Sequence, residues 1–374
     1  MHLVDTTLFY APHSGGVKRY LHEKRRSLAA WPEITHTLLV PGTTDALIAG
    51  GISTLAAPRL PHRAGYRWPL RRHAWRAALV ALAPDLIEAG DPYLPGRAAA
   101  EAAQQLGIPA AAFAHSDLPR LLGRYIGAAG VRAGEAWLRR LYARYDAVLA
   151  PSRVIARRLA DAGIERLALQ PLGVDDGIFH PRQNVLDLRA RLGLPARTRL
   201  LVFAGRLAPE KNIATLRAAV RRLGAPYHLL LVGGRDARRL DAGTSVLPYE
   251  ADTGHLAQLL ASCDALVHAG TQETFGMVVL EAFACARPVV AVPAGALPEL
   301  VDAQVGVLAA QAGAAALAEA VAALYTRDRA ALGVAARARV EHNYAWPRVV
   351  ARQLDTYRAL LHQPRATALA GVAL

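Results

Sequence analysis

Only two cysteines occur in the 374 residues, Cys263 and Cys285, both in apolar surroundings. Two cysteines make neither a disulfide framework nor a zinc cluster, so they read as buried thiols in a reducing compartment. No stretch reaches the roughly 18 uninterrupted apolar residues that a membrane span requires. The opening MHLVDTTLFYAPHSGG lacks the basic start and apolar run of a secretory signal, and the expected location is the cytoplasm. Helix-turn-helix, zinc and RNA-binding signatures are missing too, which argues against a nucleic-acid partner despite the basic composition. Acidic side chains are the other shortage. The formal net charge is +14, and no Asp or Glu falls between Arg59 and Arg76.

What is present is globular: 53% hydrophobic and 20% charged residues. Short apolar strands alternate with amphipathic helices, twice over. HLVDTTLFY, HTLLVPG, DLIEAG, PAAAFAH and AVLAPS read as strands of the first half, with helices over 17–30, 71–83, 96–106 and 132–144. RLLVFAG, HLLLVGG, SVLP, DALVHAG, PVVAVP and VGVLA restart the pattern, with helices near 212–223, 254–262, 277–286 and 313–325. Helices over 328–341 and 347–362 end it. Such alternation predicts an α/β protein of two doubly wound parallel sheets. The aperiodic QPLGVDDGIFHPRQN between the halves reads as a hinge. The expected division is an acceptor-side domain over 1–172, completed by the C-terminal helix 347–374, and a second domain over 173–346. Ligands of open α/β sheets bind beyond the carboxyl ends of the strands, so the residues directly after them carry the candidate chemistry.

Five such places stand out. In TQETFGMVVLE, Glu273 follows a strand, and a helix begins near Gly276 or Met277. The amides of Phe275, Gly276 and Met277 are then helix-terminal donors suited to a phosphate or a ring hydroxyl. Glu281 lies inside VVLEAFACA, where a carboxylate needs a partner. In FAGRLAPEKN, Arg206 and Lys211 can clamp a diphosphate, or Arg206 can simply pair with Glu210. Gly15-Gly16 opens a helix after the first strand, as an anion-friendly terminus or a plain turn. His115 ends the strand PAAAFA, and Glu88-Ala89-Gly90-Asp91 ends DLI, where an acceptor contact and a turn cap compete.

GRLAPEKN, VGG, ETFGMVVLEAFACARPVVA and GALPELV, in that order, resemble the retaining GT-B glycosyltransferases of family 4, the "group 1" transferases. The likeness extends to the Gly-Gly loop, APS at 150–152 and PLGVD at 171–175. It implies two Rossmann-like domains facing across a cleft. Glu273 and the amides of 275–277 would hold the donor sugar, Glu281 the ribose, and Arg206 and Lys211 the diphosphate. Gly16 would face the donor phosphate, Gly15 and Asp91 the acceptor side, and His115 the reacting centre. Two departures affect local loop shape. His268-Ala269-Gly270-Thr271 replaces the usual serine and small residues, and Ala294 stands where a glycine often precedes Gly295.

The implied reaction moves a hexose, from GDP-mannose or a UDP-hexose, to a glycan or lipid-linked acceptor with retention. No D-x-D triplet is present, so no metal and no cofactor are expected; fixed cations and helix amides stabilise the leaving diphosphate. A nucleotide-sugar epimerase of the same fold is the rival enzyme. The basic, aromatic segment containing Arg67, Trp68, Arg71, Arg72, Trp75 and Arg76 predicts docking on an anionic membrane surface, peripherally on its inner face.

Overall fold

The computed structural model describes residues 1–11, 15–60 and 65–362. Two seven-stranded sheets form the frame. The first contains β1 (His2–Thr6), β2 (Thr35–Gly42), β3 (Ile52–Ala56), β4 (Leu86–Ala89), β5 (Ala110–Phe113), β6 (Ala147–Ala150) and β7 (Leu167–Leu169), in the order β3-β2-β1-β4-β5-β6-β7. Its helices are α1 (Gly16–Leu28), α2 (Arg72–Ala81), α3 (Leu94–Leu106), α4 (Leu118–Tyr142) and α5 (Arg153–Asp161). After the short α6 (Leu188–Arg191), the second sheet takes β8 (Arg199–Ala204), β9 (Tyr227–Gly234), β10 (Arg238–Asp241), β11 (Thr244–Pro248), β12 (Ala265–His268), β13 (Val289–Ala291) and β14 (Gly306–Leu308), ordered β10-β11-β9-β8-β12-β13-β14. Between and after these strands run α7 (Ile213–Leu223), α8 (Thr253–Ala261), α9 (Met277–Ala284), α10 (Leu297–Leu300), α11 (Ala314–Leu324), α12 (Arg329–Asn343) and α13 (Trp346–His362).

Every pairing is parallel except β10 with β11. Central strands such as β8 and β12 are apolar on both faces, as a sheet covered by helices on each side requires. The sequence pattern omits β3, β7, β10 and α5. The first three are short and lie at or near sheet edges, with alternating or exposed residues that carry little apolar signal. Helix α4 begins at Leu118, well before the expected 132. Its periodicity is broken where Ile126 and Gly127 leave helical geometry, within a glycine-rich run. Cys263 and Cys285 are buried free thiols. The end of the expected helix 347–374, from 363 on, lies outside the described residues.

The two stretches joining the sheets run side by side. Val174 N–H donates to Tyr344 O at 2.8 Å and Trp346 N–H to Val174 O at 3.3 Å. Gly173 leaves room for the Trp346 ring, which a Cβ there would approach to 2.6 Å. Helix α13 then packs on α1 of the first sheet. The contact is polar and fully buried. Lys24 Nζ donates to Asp5 Oδ1 (2.9 Å), Glu88 Oε1 (3.0 Å) and Tyr357 Oη (2.8 Å). Tyr357 and Tyr20 hydroxyls both donate to Glu88, and Gln353 Nε2 donates to Glu88 Oε2 at 2.9 Å. Burial pushes the Asp5 carboxyl up, but the Lys24 and His36 charges outweigh it and hold the group below its ordinary value.

Lys24 therefore bridges two carboxylates from which water is excluded, and burial raises the Glu88 carboxyl even against the Lys24 charge. Removing one partner of such a cluster is far costlier than replacing the whole set. Lys24→Met is expected to cost about 3–5 kcal/mol in urea unfolding. A loss below about 1 kcal/mol would show that the carboxylates are not paid for by this lysine.

Candidate functional site

The carboxyl ends of both sheets open on one cleft, which holds a cavity of about 360 Å³. Gly15, Gly16, Arg19 and His115 line it from the first half, and Arg206, Lys211, Glu273, Phe275–Met277 and Glu281 from the second. The structure thus brings together all the residues expected at the donor.

Two helix amino termini meet there. Helix α9 starts after Gly276, whose φ of +101° lies in the left-handed region that favours glycine. Helix α1 starts at Gly16, where an added Cβ would sit 3.3 Å from Met277 Sδ. Neither first turn contains an acidic residue. Both positive ends are therefore available to an anion between them.

The carboxylates are held by cations. Glu281 is buried among apolar neighbours, and its partner is Arg19, which reaches across from α1 to Oε1. Glu273 Oε1 is bonded by Lys211 Nζ and stands 3.2 Å from His268 Nε2. Burial raises the Glu273 carboxyl, but the close His268 ring and the Lys211 charge prevail and hold it well below the usual carboxylate range. Lys211 is set by a short 3₁₀ turn, Pro209–Lys211, closed by Asn212 at φ +51°, whose side-chain amide donates to Ala269 O at 2.9 Å. Arg206 is exposed and pairs with Glu210 at 3.4 Å, the plain ion pair that its spacing allowed. Glu210 also meets Arg124 of the first half at 3.8 Å.

His115 stacks on Phe113, with ring centroids 4.0 Å apart and planes 4° from parallel. Burial, reinforced by the Lys24 charge, depresses its pKa to about 3. The imidazole is neutral at any working pH, and its Nε2 is a buried polar atom without a partner among the described residues.

Two expectations are corrected. Asp91 does not face an acceptor: it is buried, and its carboxylate accepts the Leu8 and Tyr93 amides at 2.7 and 2.8 Å, tying the loop after β1 to the loop after β4. Burial moves its pKa up to about 6. Trp75 does not face a membrane: it is buried, with Nε1 donating to Thr6 Oγ1 at 2.8 Å. The period of α2 turns this ring inward, which the cluster of arginines around it obscures. Of its neighbours, Arg67 donates to Ala57 O, Arg71 pairs with Asp45 and Arg72 with Glu101, while Trp68 and Arg76 are exposed.

Arg19 and His268 were not singled out as site residues. Arg19 could have been found by asking what neutralises Glu281, since it lies three residues after Gly16. His268 showed only as a departure from small residues. Further contacts cross the cleft: Ser152 Oγ donates to Thr274 O at 2.7 Å, and Glu299 accepts the Arg153 and Val154 amides at the start of α5 at 2.8 and 2.7 Å.

Known proteins resemble this chain. The family described as "Glycosyl transferases group 1" matches residues 198–327, and "Glycosyltransferase Family 4" matches residues 14–177. A GDP-mannose-dependent alpha-(1-6)-phosphatidylinositol dimannoside mannosyltransferase of Mycobacterium tuberculosis is 30% identical over 96% of this chain and 97% of its own. A GDP-mannose-dependent alpha-mannosyltransferase of Mycolicibacterium smegmatis is 34% identical over 74% of each chain. Among solved structures, sucrose-phosphate synthase from Thermosynechococcus elongatus superposes with a TM-score of 0.77 at 22% identity, covering 96% of this chain and 99% of that one. HepE of Anabaena, in complex with UDP-glucose, gives 0.73 at 20% identity, covering 96% of this chain and 100% of that one. These two show a common GT-B fold.

If Arg19 neutralises Glu281, the two are energetically coupled. Arg19→Leu should destabilise the chain in urea, and adding Glu281→Leu should return about 1–3 kcal/mol of that loss. Strictly additive effects would mean that the buried carboxylate does not depend on Arg19.

Proposed function

Because this chain belongs to the group 1, family 4 glycosyltransferases and is a nucleotide-sugar-dependent hexosyltransferase, we propose that it transfers mannose from GDP-mannose, with retention, to a lipid-linked glycan at a membrane surface. The observation that carries this reading is the cavity lined by two helix amino termini, by Arg206 and Lys211, and by Glu273 and Glu281. A diphosphate there meets two helix ends and two cations. Glu281 is placed to accept the ribose hydroxyls and Glu273 those of the sugar. The donor assignment draws on the mycobacterial relatives, whose names specify GDP-mannose.

The chemistry follows from the charges. As the sugar C1–O bond to the leaving phosphate lengthens, negative charge grows on the diphosphate and is stabilised by the amides of α1 and α9 with Lys211 and Arg206. The acceptor hydroxyl attacks C1 from the same face. Its proton passes to the departing phosphate oxygen, and the C1–O bond to the acceptor forms. His115, kept neutral, offers a hydrogen-bonding nitrogen to the sugar rather than a stored proton. The fixed cations make a divalent ion unnecessary.

A lipid-linked acceptor suits the surface beside α2. No helix among the described residues is long and apolar enough to cross a membrane. Trp68, Leu70, Leu47 and Ile48 are nevertheless exposed, and the Arg71–Asp45 pair brings their two segments together. With Arg76 they form an apolar and basic surface of the type that favours anionic headgroups, from the cytoplasmic side.

The test is transfer by the purified chain to a phosphatidylinositol mannoside in phosphatidylglycerol vesicles, in excess EDTA. GDP-mannose should give an α-linked product and free GDP, while UDP-glucose gives none. Preference for a UDP-sugar would overturn the donor assignment, and loss of turnover that magnesium restores would overturn the charge-stabilising role of Arg206 and Lys211. Conversion of the donor without acceptor would point to the epimerase.

A further inference from the structure

His268 is fully buried at the end of β12, edge-on to Phe203 with ring centroids 5.6 Å apart. Its Nδ1 accepts the Gly270 N–H at 3.0 Å, so the ring proton sits on Nε2. That nitrogen points at Glu273, 3.2 Å from Oε1, close but not yet aligned for a full hydrogen bond, and has no other partner among the described residues. The loop is shaped for this ring: a Cβ on Gly270 would come within 2.6 Å of His268 Cε1. The Glu273 main chain is fixed separately, its carbonyl accepting the Ala296 N–H at 3.0 Å. The direction of its carboxylate therefore rests on Lys211 and His268.

Those two partners are not equivalent. Lys211 has a flexible stem at the mouth of the cavity and is one of the cations that a diphosphate would attract. His268 cannot leave. We propose that His268 is a positioning residue for the donor sugar: it keeps the Glu273 carboxylate aimed at the sugar hydroxyls while Lys211 turns to the diphosphate. This rests on the donor assignment given above. It separates the site into a nucleotide part, indifferent to His268, and a sugar part that depends on it.

Calorimetric titration with GDP and with GDP-mannose tests this on the full chain, the His268→Leu and His268→Gln variants, and Gly270→Ala. GDP affinity should stay within about twofold of the parent in all three variants, whereas GDP-mannose binding should weaken about tenfold or more in His268→Leu, roughly one charge-assisted hydrogen bond. His268→Gln, which keeps an N–H donor, should recover part of the loss. Gly270→Ala, which displaces the ring without removing it, should resemble His268→Leu and serves if that variant does not fold. A packing role alone would lower the melting temperature and move both affinities in parallel, or neither; either result overturns the proposal. If the unmutated chain binds neither GDP nor GDP-mannose, the donor assignment fails, and this inference fails with it. Normal binding by the parent with an unchanged preference in the variants removes His268 alone.

Discussion

A carboxylate inside an apolar helix is the constraint from which this cleft follows. Glu281 stands among Val279, Leu280, Ala282 and Phe283, all buried. Such a group needs a cation or several donors, and its own half of the molecule supplies no ion pair for it among the described residues. Arg19 comes from the opposite sheet. The ion pair therefore links α1 to α9, and the amino termini of both line one cavity. Glu273 is treated in the same way, by Lys211 at the mouth and His268 beneath. Two carboxylates paired with cations, between two positive helix ends, form an alternating pattern of charge. A nucleoside-diphosphate sugar presents the complementary pattern: hydroxyls, a dianionic bridge, then hydroxyls again.

The same economy operates under the cleft. Lys24 bridges Asp5 and Glu88, and the Tyr20 and Tyr357 hydroxyls complete the cluster. Lys24 and Lys211 both occupy decisive places in a chain that otherwise uses arginine almost throughout. A compact ammonium fits a closed pocket of oxygens where a planar guanidinium would not. Through this cluster α13 is fixed to the first sheet, and Tyr20, one residue after Arg19, packs against His115 with ring centroids 4.9 Å apart. Helix α1 thus carries the fastening of the C-terminal helix and the neighbour of His115 on one face, and the partner of Glu281 beside it.

Much of this was legible in the sequence. The alternation of apolar strands and amphipathic helices specified two parallel sheets, because such strands have only one way to cover both faces. ETFG followed by VVLEA placed Glu273 in the loop before a helix and Glu281 inside it, and GRLAPEKN placed Lys211 at a helix start just past a strand. What escaped is what depends on contact between distant segments. Arg19 and His268 acquire their roles only when Glu281 and Glu273 are beside them. Asp91 reads equally as an acceptor contact or a turn cap until the Tyr93 and Leu8 amides decide for the cap. Trp75 reads as an interfacial aromatic until α2 lies on the sheet and Thr6 meets its indole nitrogen. Edge strands such as β7 and β10 lack the buried faces that make a strand visible.

The central claim, that Glu281 and Glu273 read opposite ends of one nucleotide sugar, is tested most directly by a ladder of truncated ligands. Guanosine, GMP, GDP and GDP-mannose are titrated calorimetrically into the parent chain and into Glu281→Gln and Glu273→Gln. Glu281→Gln should weaken every rung by a similar factor, about tenfold or more, because the ribose is common to all. Glu273→Gln should leave the first three rungs unchanged and weaken only GDP-mannose. Uniform losses in both variants, or a Glu273→Gln defect already present with guanosine, would contradict the account.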